Sequence, residues 1–274
     1  MKTMLEKAKK ENYAIAQFNI NNLEWTKYIL EECNEQKSPV ILGVSESAIK
    51  YMGGYLTVSN MVKALIKDLD ITIPVSLNLD HAKSIDACKK AINCGFTSVM
   101  IDASEYTLEE NIKITKQVVE YAHMRNVSVE AELGKIGTNN NINSQAIKVE
   151  DCIIFLKETG IDFFAPSIGN VHGMGLPKLD FKRMKEINEK VDLPLVLHGG
   201  SNISEEEIVK SIELGVCKIN INSELQYEWS KEVRKFIQNN ENIYDPRKII
   251  ASGEQALKNV VHKKLTLFGT TKKA

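Results

Sequence analysis

The chain has 274 residues, 43% of them hydrophobic and 26% charged, a composition that suits a folded globule with a sizeable core and excludes a disordered segment. Its 35 lysines and arginines nearly balance 36 acidic residues, so no global field draws it to nucleic acid or to an anionic membrane, and any anion site must be local. No apolar run reaches the ~18 residues of a membrane span and the amphipathic stretch 1–11 has no signal-peptide core, so a cytoplasmic protein with no nucleic-acid or membrane partner is expected.

After that first stretch one unit recurs eight times without a linker: a short β-type run leading into a longer stretch of helical periodicity. The β-type runs are 14–20, 40–44, 75–79, 98–101, 127–133, 162–168, 195–198 and 217–221. Most are read as apolar on both faces, as parallel strands covered on either side must be. Pro39, Pro74 and Pro194 each introduce one of these runs, a position where a strand tolerates proline.

The intervening stretches read as crossover helices. Ile112, Thr115, Val118, Val119 and Ala122 fall on one face at helical spacing, and Ser204 before Glu205, Glu206 and Glu207 reads as a cap followed by first-turn acids. A further helix is expected over 245–267. The five cysteines, Cys33, Cys88, Cys94, Cys152 and Cys217, are odd in number, lack C-x-x-C spacing and sit in apolar or helical surroundings, so they read as reduced packing residues.

Eight alternating units with parallel-type strands predict an α/β fold, a closed (β/α)8 TIM barrel in which 1–274 form a single domain with an additional C-terminal helix. An open, doubly wound sheet is the structural alternative. In a barrel the chemistry collects at the C-terminal ends of the strands. There this chain has Asn19, Ser45, Asp80, His81, Asp102, Glu132, His172, His198, Asn220, Asn222 and Ser223, nearly all polar. Three of five histidines stand at or just past these ends, whereas His123 and His262 fall in helical stretches.

Three neutral imidazoles meeting at one point leave an open coordination position, the arrangement of catalytic zinc. Asp102 and Glu132 would orient a ligand histidine or hold a second cation. Gly199, Gly200 and Ser201 after the seventh strand, and residues 220–223 after the eighth, occupy the loops that often bind phosphate in such barrels, where glycine lets backbone N–H groups approach the anion. Asp80 is placed to exchange a proton with substrate; its alternative use is to cap the helix expected over 84–92.

Together these segments resemble the class II, metal-dependent ketose-bisphosphate aldolases, a family that contains fructose- and tagatose-bisphosphate aldolases. The resemblance runs through residues 17–22 (QFNINN), 79–81 (LDH), 130–134 (EAELG), 168–173 (IGNVHG), 195–201 (LVLHGGS) and 218–221 (KINI). It implies a lyase that reversibly cleaves a ketose 1,6-bisphosphate into dihydroxyacetone phosphate and glyceraldehyde 3-phosphate. By it His81, His172 and His198 hold Zn2+ or another divalent cation, Asp80 transfers a proton at the hydroxyl of the bond being cut, and Asn220 contacts the enediolate. Gly173, Gly199, Ser201 and Ser223 match positions that grip phosphate, and Ser45 a position near the aldehyde half. Asn19 and Asn222 join the substrate-facing set, a monovalent cation is a further cofactor the site could take, and a dimer or tetramer of identical chains is the expected assembly.

The chain also departs from that pattern. Asn78 stands where the family commonly has histidine, which weakens a second divalent site built with Asp102 and Glu132. The loop after Glu132 reads Ile136-Gly137-Thr138-Asn139-Asn140-Asn141, with no acid before Glu150, where the family usually carries a proton-shuttling glutamate. Met174, Gly175 and Leu176 replace a Tyr-Lys segment, and Asn202 replaces glycine. A related aldolase for another phosphorylated keto-sugar, and a metal-binding barrel without turnover, are the competing readings.

Overall fold

Pro39, Pro74 and Pro194 each stand one residue ahead of a strand, where a missing N–H leaves the ladder intact. The strands they introduce belong to a set of eight: β1 Ile15–Asn19, β2 Val40–Ser45, β3 Val75–Ala82, β4 Ser98–Ile101, β5 Ser128–Leu133, β6 Phe163–Pro166, β7 Leu195–Leu197 and β8 Val216–Ile221. The structure, a computed structural model, describes residues 1–138, 147–173 and 178–274. Each strand runs parallel to the next, and β8 returns to β1 through the register Ile15↔Lys218 to Phe18↔Ile221, which closes the barrel and excludes the open sheet.

The crossover helices begin at hydrogen-bonding caps. Ser84 caps Ile85–Asn93 by accepting from the Ala87 N–H, so Asp80 is not needed there. Reciprocal capping boxes join Thr107 to Glu110 and Ser204 to Glu207. The helical stretches bury one apolar face on the outside of the strands, with Ile29, Leu30, Val118, Phe155 and Ile208 all inaccessible or nearly so. Glu150 falls in the first turn of Val149–Thr159.

The inside of the barrel divides into two halves. At the strands' N-terminal end a short helix, Lys2–Lys10, presses Leu5 and Ala8 onto Ile15, Ile41, Met100, Phe163 and Cys217, an apolar plug. Above it the inward residues are Gln17, Asn78, Glu130 and Lys218, each 0% exposed. The expectation of strands apolar on both faces therefore holds for the outside and for the plug, and fails for this layer. Buried polar groups survive there because they bond one another.

Past β8 come Ser223–Asn239, Pro246–Ala251 and Glu254–Leu267. The single helix expected over 245–267 is thus two. The chain turns between them at Gly253, where a side chain would run into the Trp229 ring. All five cysteines are free, four of them buried. Among the described residues no helix is long and apolar enough to cross a membrane.

Candidate metal centre and active site

Local backbone irregularities aim the three histidines. Between β3 and β4 the register passes from Leu79↔Val99 to Ala82↔Ile101, one residue more on β3 than on β4. That bulge places His81 at φ 51° and turns its ring toward the barrel axis. His198 lies one residue past β7 and is followed by Gly199 at φ 71°. A side chain on Gly199 would strike the Val171 carbonyl, so glycine is what lets the loop carrying His198 lie against the one carrying His172. Asn170 ties the same loops, donating to the His198 carbonyl at 3.2 Å.

The three rings offer nitrogens that all lie within 4.8 Å of one another. His81 Nε2 and His198 Nδ1 are 3.0 Å apart. Imidazoles on a tetrahedral zinc, with Zn–N near 2.0–2.1 Å, bring their nitrogens to about 3.3 Å, so for this pair little movement separates the two arrangements. In these two rings the other nitrogen faces a carboxylate: His81 Nδ1 lies 3.0 Å from Asp102 Oδ2, and His198 Nε2 lies 2.8 Å from Glu130 Oε1. A carboxylate only accepts, so each ring turns an N–H to it and directs its remaining nitrogen to the common point. This donor set fits a divalent cation.

The electrostatics agree. Burial and the neighbouring His198 and His81 push His172 down to about 3, and burial with His81 also lowers His198 despite Glu130. For His81 burial opposes the charge, but the Asp102 hydrogen bond with Asp80 and Glu132 prevails and raises it to about 9. Two of the imidazoles are therefore neutral, the ligand form, and the third holds the one proton that a cation would displace.

Asp80 shares the same cavity. Its Oδ1 accepts from Gln17 Nε2 at 3.0 Å and its Oδ2 from Asn19 Nδ2 at 2.9 Å. Burial opposes its ionisation most strongly, yet His81, His198, Lys218 and the Asn19 bond together hold its carboxyl well below the usual range. It is a carboxylate, ready to accept a proton.

The cavity measures about 220 Å³ and is lined by Asn19, Ser45, Asp80, His81, His172, Gly173, His198, Gly199, Ser201, Asn220, Asn222 and Ser223. The three expected metal ligands, Asp80, Asn220 and the expected substrate-facing residues all lie on this wall; Gly200, expected in the phosphate loop, does not. Ser45 also caps the short helix Glu46–Tyr51. Ser201 Oγ accepts from the Asn222 N–H at 3.2 Å, joining the loop after β7 to the start of helix Ser223–Asn239. Asn220 turns its amide hydrogens to His198 Nδ1 at 3.1 Å and Asp80 Oδ1 at 3.4 Å, because Lys218 Nζ donates to its oxygen at 2.8 Å.

Asp102 and Glu132 stand behind His81 rather than on the wall. Asp102 takes Lys83 Nζ at 2.6 Å on Oδ2 and the Ser104 hydroxyl at 2.7 Å on Oδ1. Glu132 Oε2 is 3.7 Å from His81 Nδ1; burial and the nearby Asp102 raise its carboxyl to about 8. Asn78, which stands where a histidine would support a second cation site, donates to Gln17 at 2.9 Å. Residues 139–141 and 174–176, where the altered loops were noted, lie outside the described residues.

Sequence reading singled out neither Glu130 nor Lys218. Their ion pair is 2.8 Å long and fully buried, and it links the carboxylate behind His198 to the cation behind Asn220. A signal was available: each stands two residues before a strand-end site residue, hence on the same inward face. Lys218→Met strands Glu130 without its counter-charge and is expected to cost about 3–5 kcal/mol, read as a lower urea midpoint. An unchanged midpoint would show that the pair contributes nothing to stability.

Comparison with known proteins extends these observations. The family model described as fructose-bisphosphate aldolase class-II matches residues 1–273. Fructose-bisphosphate aldolases from Geobacillus stearothermophilus and Staphylococcus aureus strain Mu50 are 52% and 50% identical, each alignment covering 100% of this chain and 98% of the relative. The crystal structure of the YdjI aldolase from Escherichia coli K12 matches with a TM-score of 0.86 at 31% identity, over 100% of this chain and 98% of that one. A fructose-bisphosphate aldolase structure from Campylobacter jejuni, 24% identical, shares the fold at a TM-score of 0.87, over 99% of this chain and 95% of that one. With its closed barrel and its strand-end histidines, the chain belongs to the class-II fructose-bisphosphate aldolase family.

Proposed function

We propose that the chain reversibly cleaves fructose 1,6-bisphosphate into dihydroxyacetone phosphate and glyceraldehyde 3-phosphate, with zinc held by His81, His172 and His198. The observation that carries this reading is the meeting of three imidazole nitrogens within 4.8 Å, in one cavity with an ionised Asp80. When bound, the cation supplies positive charge that offsets the negative charge collecting on substrate oxygens as the carbon–carbon bond breaks. No lysine Schiff base is required.

The protein's own groups do the rest. Asp80 accepts the hydroxyl proton during cleavage and returns it during condensation. Asn220, its amide turned by Lys218, presents N–H groups to the oxygen on which charge collects. Gly173, Gly199, Ser201, Asn222 and Ser223 offer N–H and hydroxyl donors to a phosphate beside the helix N-terminus, where anions are favoured. Asn19 and Ser45 face the remainder of the sugar. Asp102 and Glu132 set the tilt of His81.

Zinc-loaded protein is expected to release triose phosphate from fructose 1,6-bisphosphate, to stop when a chelator strips the metal, and to recover when zinc returns. Cleavage that persists in verified metal-free protein would rule the mechanism out. Tagatose 1,6-bisphosphate, run in parallel, reads the preference at the fourth carbon.

A further inference from the structure

Gln17 is fully buried and lines no part of the cavity, yet it touches the group that faces substrate. Its orientation follows from Asp80 outward. The carboxylate accepts only donors, so Gln17 must present its NH2 to Oδ1, and its carbonyl is left to face Asn78 Nδ2 at 2.9 Å. Asn78 thereby disfavours the flipped amide, which would set two NH2 groups against each other there and the Gln17 oxygen against the Asp80 carboxylate. Gly43 supplies the space: a side chain there would run into the Gln17 amide.

With Gln17 on one carboxylate oxygen and Asn19 on the other, both held from β1, Asp80 cannot turn about its terminal torsion without losing a charge-assisted hydrogen bond. Asn19 alone leaves one oxygen free to swing, with only the longer 3.4 Å contact from Asn220. We propose that Gln17 is a positioning residue for Asp80: it fixes the plane of the carboxylate from beneath, and Asn78 and Gly43 fix Gln17 in turn. This rests on the reading of Asp80 as the proton-transferring group.

Zinc-loaded variants test it with fructose 1,6-bisphosphate as the probe. Gln17→Met keeps the length and removes the donor; kcat is expected to fall by about 10- to 100-fold, the scale for a displaced catalytic group, while KM and bound zinc per chain stay at wild-type values. Gly43→Ala should act in the same direction by displacing the same side chain, and the double variant should be no worse than Gln17→Met alone. Asn78→Ala should give a smaller loss of kcat with KM unchanged. Crystals of Gln17→Met, or of Gly43→Ala should the first not fold, are expected to show the Asp80 carboxylate rotated from its original plane.

Wild-type kcat in these variants, a loss of rate that tracks loss of zinc, or an unmoved Asp80 carboxylate would overturn the proposal. A wild-type protein that fails to cleave the sugar speaks instead against the aldolase reading. In that case the orientation of Asp80 in the variant crystals still decides the role of Gln17.

Discussion

Replacing His198 by alanine is expected to lower kcat/KM for fructose 1,6-bisphosphate by at least about 10²–10³-fold, the scale on which loss of one electrostatic partner of the developing charge is felt. Three consequences combine at this position. The nitrogen it turns toward His81, 3.0 Å away, disappears from the proposed ligand set. Glu130 loses the N–H bonded at 2.8 Å, and the Asn220 amide loses an acceptor at 3.1 Å. Leaving such buried groups unsatisfied costs about 1–3 kcal/mol each, so the variant should also melt earlier. Bound zinc per chain, measured with cleavage, checks the argument: near-normal occupancy and rate in His198→Ala would remove it from the metal centre.

Asp80→Ala is expected to keep its zinc and to lose cleavage by about 10²–10⁴-fold, the range for removal of a positioned proton-transfer group. The separation of the two effects is informative, because Asp80 adjoins a proposed ligand in sequence while its own oxygens bond to amides of Gln17 and Asn19. His81 and His198 keep their carboxylate supports in this variant, since those come from Asp102 and Glu130. Turnover at the wild-type rate would free Asp80 of its assigned role. Loss of zinc together with rate would assign it to the metal instead.

The histidines show how far local reasoning reaches. His81, His172 and His198 are separated by ninety-one and twenty-six positions, yet each follows an apolar run in an eightfold alternation, and in a closed barrel all such ends open on one face. Their convergence was therefore legible before any coordinates. Asp102 and Glu132 were legible only as a choice, to orient a ligand histidine or to hold a second cation; that both lie against His81 was not. It depends on the bulge that gives β3 an extra residue against β4, and no sequence period marks that bulge.

Gln17, Asn78, Glu130 and Lys218 make the same point from inside the barrel. Each could be read as a polar residue in an apolar strand, but whether it is a blemish or a partner depends on which strand lies beside it and at what register. Asn78 illustrates the difference: read against the family pattern it only weakens a second cation site, and what it does here, bonding Gln17, appears once the closed barrel brings β1 and β3 together in space. Gly43 passes in a sequence as an ordinary strand glycine and Gly199 reads only as a phosphate-loop glycine; each is required because another chain segment crosses where a side chain would be.

By itself, then, the order of residues determined the architecture, the face on which chemistry collects, the residues on that face and the aldolase family they resemble, because hydrophobic periodicity and short motifs are encoded locally. Only the tertiary structure decided which nitrogen of His81 and His198 looks inward, how Lys218 turns the Asn220 amide, and what holds the Asp80 carboxylate. Those depend on hydrogen bonds between strands distant along the chain, and the angle and distance of such a bond exist only once the barrel has closed.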